Sequence, residues 1–163
     1  MDLETKIKTM NRIVVGAIAG FIATAPMTLL MMAWHRRLPK EEQYPLPPHE
    51  ITMHAAEDAH IEEVVETPKR QVEATLAAHF AYGGGAGAMY ALVAPSVALP
   101  PLVKGSLFGI TVWSVSYLGL MPAIGWHRSA TEEPAGRNAL MLTANLFWGA
   151  VTAVLSDFWE NRR

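Results

Sequence analysis

The chain contains no cysteine, which excludes disulfides, thiolate metal sites and cysteine nucleophiles together. It is also poor in charge. Lys, Arg, Asp and Glu make up 17 % of its 163 residues, well below the roughly 25 % of a soluble domain. Net charge is −2, so no basic excess argues for a nucleic-acid partner. Serines 106, 114, 116 and 156 lie in apolar runs, but no Gly-x-Ser-x-Gly elbow surrounds any of them. No two histidines stand four apart, as a zinc-protease helix requires. The two halves of the chain show no convincing self-similarity, and inverted-repeat transporters need more helices than are present here.

What is present is apolar and strongly segregated. Apolar residues reach 51 %, and the charges crowd into the N-terminus, residues 35–73, a loop near 127–137 and the last few positions. Uncharged runs between charged blocks are the pattern of a membrane protein. The expected fold is all-α, a four-helix transmembrane bundle forming one integral domain over residues 1–163. Its spans are about 13–34, 74–94, 102–124 and 138–158, each near the ~20 residues that cross a bilayer. Ala23-Thr24-Ala25 resembles a signal-peptidase site, but the apolar run continues past it to Trp34, so a retained helix is expected.

Prolines set several further expectations. Pro26 inside the first span frees a carbonyl, which Thr24 or Thr28 could satisfy, and predicts a kink. Tyr44-Pro45-Leu46-Pro47-Pro48 is extended. A short surface helix should follow from Pro48 to about Ile61, within the extramembrane segment 35–73, with Ile51, Ala55, Ala59 and Glu62 on one face. Thr67-Pro68 reads as the N-cap and first residue of the second span. The prolines at 95, 100 and 101 end that span and make a tight turn, predicting that spans two and three are antiparallel neighbours.

Helices in lipid associate through close packing, so small residues mark contact faces. The candidate packing residues are Gly16 and Gly20 (with Thr24 and Thr28), Gly83 and Gly87, Gly105 and Gly109 (continuing through Ser116 and Gly119), and Gly149 with Asn145, Ala153 and Asp157.

His79 is the most informative polar residue. It lies about 9 Å into the second span by helical rise, and at 100° per residue it shares a face with Gly83, Gly87 and Tyr90. An ionisable residue inside a span is by default a candidate site. Three readings stay open: a neutral imidazole bonded to a neighbouring helix, a cofactor ligand, or a proton or substrate role. Haem or chlorophyll ligation fits the imidazole, with glycines making room for a macrocycle, although no other span offers a second histidine. Asn145 is the other intramembrane polar candidate. On the surface helix, His54 with Asp58 and Glu57 with His60 have two-residue clamp spacing, but a solvated acidic face explains them, and no metal site is expected.

Four segments together carry a resemblance: Gly20 to Thr28 with its Ala-Pro-Met-Thr, Tyr44 to Pro48, His79-Phe80-Ala81-Tyr82-Gly83, and Asn138 to Gly149 with its Asn-Leu-Phe-Trp-Gly. They resemble small multi-pass membrane proteins of bacteria grouped as domains of unknown function. The resemblance covers nearly the whole chain and implies four spans in a bacterial inner membrane. It transfers neither an activity nor a site residue.

With no complete catalytic set, the expected role is a structural or accessory component of a membrane complex. Two alternatives stand beside it: a haem- or pigment-binding, redox-associated subunit using His79, and a small oligomeric transporter or channel. The expected partners are the bilayer, further copies of the chain or a larger membrane complex. Basic residues divide almost evenly between the two ends of a four-span bundle, and the expected orientation places both termini in the cytoplasm.

Overall fold

The computed structural model describes residues 2–162, which are 81 % helical with no strand. Backbone hydrogen bonds therefore close within each segment, as the hydrocarbon interior of a membrane demands. Helix α1 spans Leu3–His35, α2 Pro47–Asp58 and α3 Pro68–Val93. Helix α4 runs from Pro101 to Ala123, and α5 spans Ala135–Glu160. The Asp2 carboxylate caps α1 by accepting from the Thr5 amide at 2.7 Å. Thr67 does the same for α3 through Arg70, with Pro68 in the first turn. Three helices are long and apolar enough to cross a membrane: α1, α4 and α5, at mean hydropathies of 2.1, 1.3 and 1.6. This is compatible with a membrane protein. Helix α3 falls outside that set, because its glycines, with His79, Tyr82 and Tyr90, dilute the hydropathy of its uncharged stretch.

The helices pack as two glycine-seamed pairs joined in the middle. Gly16 and Gly20 of α1 lie against Gly83 and Gly87 of α3, so closely that a Cβ at Gly87 would stand 2.9 Å from Gly20 Cα. Gly105 and Gly109 of α4 lie against Gly149 and the Asn145 backbone of α5, where a Cβ at Gly149 would stand 2.8 Å from Gly109 N. Between the pairs, Ala23, Met27 and Met31 of α1 interdigitate with Leu140, Met141, Ala144 and Trp148 of α5. The Trp148 indole donates to the Gly20 carbonyl at 3.0 Å and ties this central interface.

Four sequence expectations change. Helices α3 and α4 are joined by a short turn yet hardly touch, because each spends its glycine face on another partner, α1 or α5. The small-residue row of α4 stops at Gly109. Beyond Ser114 the helix opens into a π turn, Val115–Leu120, that shifts the register, and a Cβ at Gly119 would meet nothing within 4 Å. Helix α1 passes through Pro26 unbroken, and neither threonine serves the freed Ile22 carbonyl. A threonine hydroxyl reaches the carbonyl one turn back, so Thr24 bonds Gly20 and Thr28 bonds Thr24, each at 2.8 Å. Asp157, expected on the packed row of α5, is exposed.

Candidate functional site

The unmade α3–α4 contact leaves a cavity of about 270 Å³ in one half of the bundle. Thr24 and Met27 of α1 and Asn145 and Trp148 of α5 form its back wall. His79 and Tyr82 come from α3, and Ser116, Tyr117 and Met121 from the π-turn end of α4. Helix α2 covers the end of the cavity with Pro48, Ile51, Thr52 and Ala55. The surface helix expected from the sequence is thus a roof, and its Ala59 and Glu62 face solvent beyond it. Among the lining residues Ala78 and Tyr82 are exposed, and both belong to the α3 edge of the open seam. The Tyr82 hydroxyl bridges that seam to the Ser116 hydroxyl at 2.8 Å.

His79 and Asn145, singled out separately in the sequence, line this one cavity. The Asn145 amide donates to the Met141 carbonyl at 2.9 Å. His79 is different: its Nε2 is buried with no hydrogen-bond partner among the described residues. A buried polar atom without a partner costs about 1–3 kcal/mol. The glycines do not make room for a macrocycle beside it. The space over Gly83 and Gly87 is filled by the α1 backbone and by Thr24.

A buried polar knot fixes the roof in place. Arg137, in the first turn of α5, is 2 % exposed. Its Nε donates to Glu133 Oε2 at 2.8 Å, and its Nη atoms donate to the carbonyls of Glu42, Tyr44 and Pro45 at 3.1, 2.9 and 2.9 Å. The guanidinium also stacks 3.6 Å from the centre of the Tyr44 ring. Tyr44 donates its hydroxyl to Glu133 at 2.6 Å, and burial together with this bond raises the phenol pKa. Prolines 45, 47 and 48 supply no amide hydrogens, so this extended segment holds itself through carbonyls, and the arginine provides the donors.

The loop after α4 then clasps α2. His127 Nδ1 lies 2.7 Å from Glu50 Oε2, and the Trp126 indole donates to Asp58 at 2.6 Å. Trp126 therefore lines the cavity and pins its roof. The clamp spacings of α2 lead elsewhere: Asp58 is engaged by Trp126, and His60 lies past the helix end with φ 54°. Among the described residues no three His, Asp or Glu side chains converge as a metal site.

Sequence reasoning missed the Arg137 knot, Tyr82, Ser116 and the role of Trp148. Only the carbonyl-rich, donor-poor run at 44–48 signalled that a buried donor had to come from elsewhere. No protein-family model, curated protein or solved structure matches the chain.

Proposed function

We propose that the protein is a four-span bacterial membrane protein that binds a hydrophobic ligand in the cavity between α3 and α4, acting as an accessory binding component without catalysis. The observation that carries this reading is the cavity itself, with His79 among its lining residues. Pockets that hold small molecules are mostly apolar with a few placed polar groups, and His79, Asn145 and the Tyr82–Ser116 pair are such groups.

The fourth span in this reading is α3. It carries no charge from Ala74 to Val93, a length of about 30 Å at helical rise, which matches the hydrocarbon core. Its outer face exposes Leu76, Tyr82, Met89, Leu92 and Val93, a patch that suits lipid rather than water. With α3 in the bilayer, the seam that exposes Ala78 and Tyr82 faces lipid, and a ligand dissolved in the membrane can enter sideways. Both termini then share one side, in keeping with the 3.4 Å ion pair between Arg12 and Glu160, and that side is the cytoplasm.

Ala55→Phe tests the binding reading, because it fills the cavity from α2 without touching the glycine interfaces. Wild-type protein taken from membranes into nanodiscs is expected to yield about one lipophile per chain on organic extraction, and the variant several-fold less. A wild-type extract that matches bulk membrane lipid, unchanged in the variant, would sink the reading.

A further inference from the structure

The cavity has two closures of unequal strength. On the α2 side, His127 Nδ1 lies 2.7 Å from Glu50 Oε2, and the Trp126 indole donates to Asp58 at 2.6 Å. The segment leading into α2 is held by the buried Arg137, which donates to the carbonyls of Glu42, Tyr44 and Pro45. Hydrogen bonds to charged groups are the stronger kind, and lifting α2 breaks several of them together. The seam side has far less. Among the described residues, the one side-chain hydrogen bond between α3 and α4 joins the Tyr82 and Ser116 hydroxyls at 2.8 Å. That bond is neutral, and the packed glycines of the two helices are spent on α1 and α5. The seam is the weaker closure.

The two ends of the bridge are held differently. Ser116 is 6 % exposed and sits in the π turn of α4. Tyr82 is 52 % exposed, so its ring can change rotamer outward while the next residue, Gly83, stays locked on α1. Ala78, one turn earlier on the same edge, is exposed and too small to close the gap that the ring would leave. With α3 in the bilayer, Tyr82 stands about 12 Å beyond Ala74 by helical rise, near the middle of the ~30 Å core. No water competes for either hydroxyl there, so opening forfeits the bond.

We propose that the seam is the door of the cavity and that the Tyr82–Ser116 bridge is its bolt. The ring swings into the lipid, and a lipid-soluble molecule passes between α3 and α4. This rests on the ligand-binding reading above and adds the residues that set the rate of entry.

The chain has no cysteine, so Met27→Cys puts a single thiol on the back wall, where the native side chain is 5 % exposed. Val112→Cys, on the α4 wall, is the second reporter if Met27→Cys does not fold. The measurement is the initial rate of labelling in nanodiscs by N-ethylmaleimide, which is small, neutral and soluble in lipid. Tyr82→Phe keeps the ring and removes the bond. It should speed labelling about threefold to twentyfold, the range spanned by hydrogen bonds between helices in bilayers. Ser116→Ala should do the same, and the two together no more than either, because they break one bond. Ala78→Leu narrows the mouth and should slow labelling severalfold. Asp58→Ala loosens the roof and should leave the rate within twofold. A rate unmoved by both Tyr82→Phe and Ser116→Ala overturns the proposal. So does a larger acceleration by Asp58→Ala, which would put the door at α2. Labelling follows the opening itself, so its failure leaves the binding reading to the extraction result. If extraction finds no bound lipophile while Tyr82→Phe still accelerates labelling, the binding reading falls and the door stands.

Discussion

Replacing Arg137 by methionine is expected to destabilise the bundle by about 3–5 kcal/mol, the cost typical of breaking a buried charge pair by removing one partner. The Arg137 and Glu133 side chains are only 2 % and 5 % exposed, so water cannot replace the lost contact. Glu133 would keep its charge with Arg128 as its remaining cation, 3.2 Å from Oε1 but half outside the fold. The carbonyls of Glu42, Tyr44 and Pro45 would lose their donors in the same step. Arg137→Lys keeps the charge but loses the planar fork and the stacking on Tyr44, and should fall between methionine and wild type. Adding Glu133→Gln to Arg137→Met should recover part of the loss, since the stranded carboxylate is gone. Denaturant titration in mild detergent measures all of these. A loss below about 1 kcal/mol for Arg137→Met, the size expected of a surface pair, would contradict the buried knot.

The second large effect is expected at the glycine seams. Gly87→Leu should cost at least about 3 kcal/mol, the upper end of overpacking penalties. The obstacle is backbone: a Cβ would meet the Gly16 carbonyl oxygen and stand 3.0 Å from Gly20 N, and neither can rotate aside as a side chain would. Helices α1 and α3 would have to separate along their length. Gly85, two residues away on the same helix, has nothing within 4 Å of its Cβ position, so Gly85→Leu should be nearly neutral. Thermal unfolding of the two variants side by side measures the contrast. Equal losses would mean that α3 does not pack on α1 through this face.

The legibility of the fold in the sequence was uneven, and for physical reasons. Long uncharged runs report long apolar helices, so the expected segments fall within or across α1, α3, α4 and α5, three of which are long and apolar enough to cross a membrane. The ends were less legible: α1 starts at Leu3, ten residues before the expected span, because Asp2 caps a charged, solvated turn that hydropathy alone does not register. Spacing identified the glycines, but it could not say which helix each one meets. The short Pro-rich turn after α3 suggested that α3 and α4 pair, and loop length does not decide that when two other glycine faces compete. His79 was conspicuous for its chemistry, whereas the cavity around it is a contact not made, and periodicity does not record missing contacts. Arg137 looked like one more loop cation; its three carbonyl partners lie more than ninety residues away in sequence.

Everything proposed for the cavity depends on α3 lying in the bilayer, so that the seam opens to lipid. The native chain has no cysteine, and single cysteines therefore report sidedness without background. Thr5→Cys, Ser96→Cys and Asn161→Cys, at exposed positions on one end, and Lys40→Cys and Glu132→Cys on the other, would be labelled with an impermeant maleimide in sealed vesicles of known orientation. Four spans predict that the first three react together from the cytoplasmic face and the last two only from the opposite face. Labelling of Thr5→Cys and Asn161→Cys from opposite faces, or of Ser96→Cys together with Lys40→Cys, would contradict the account.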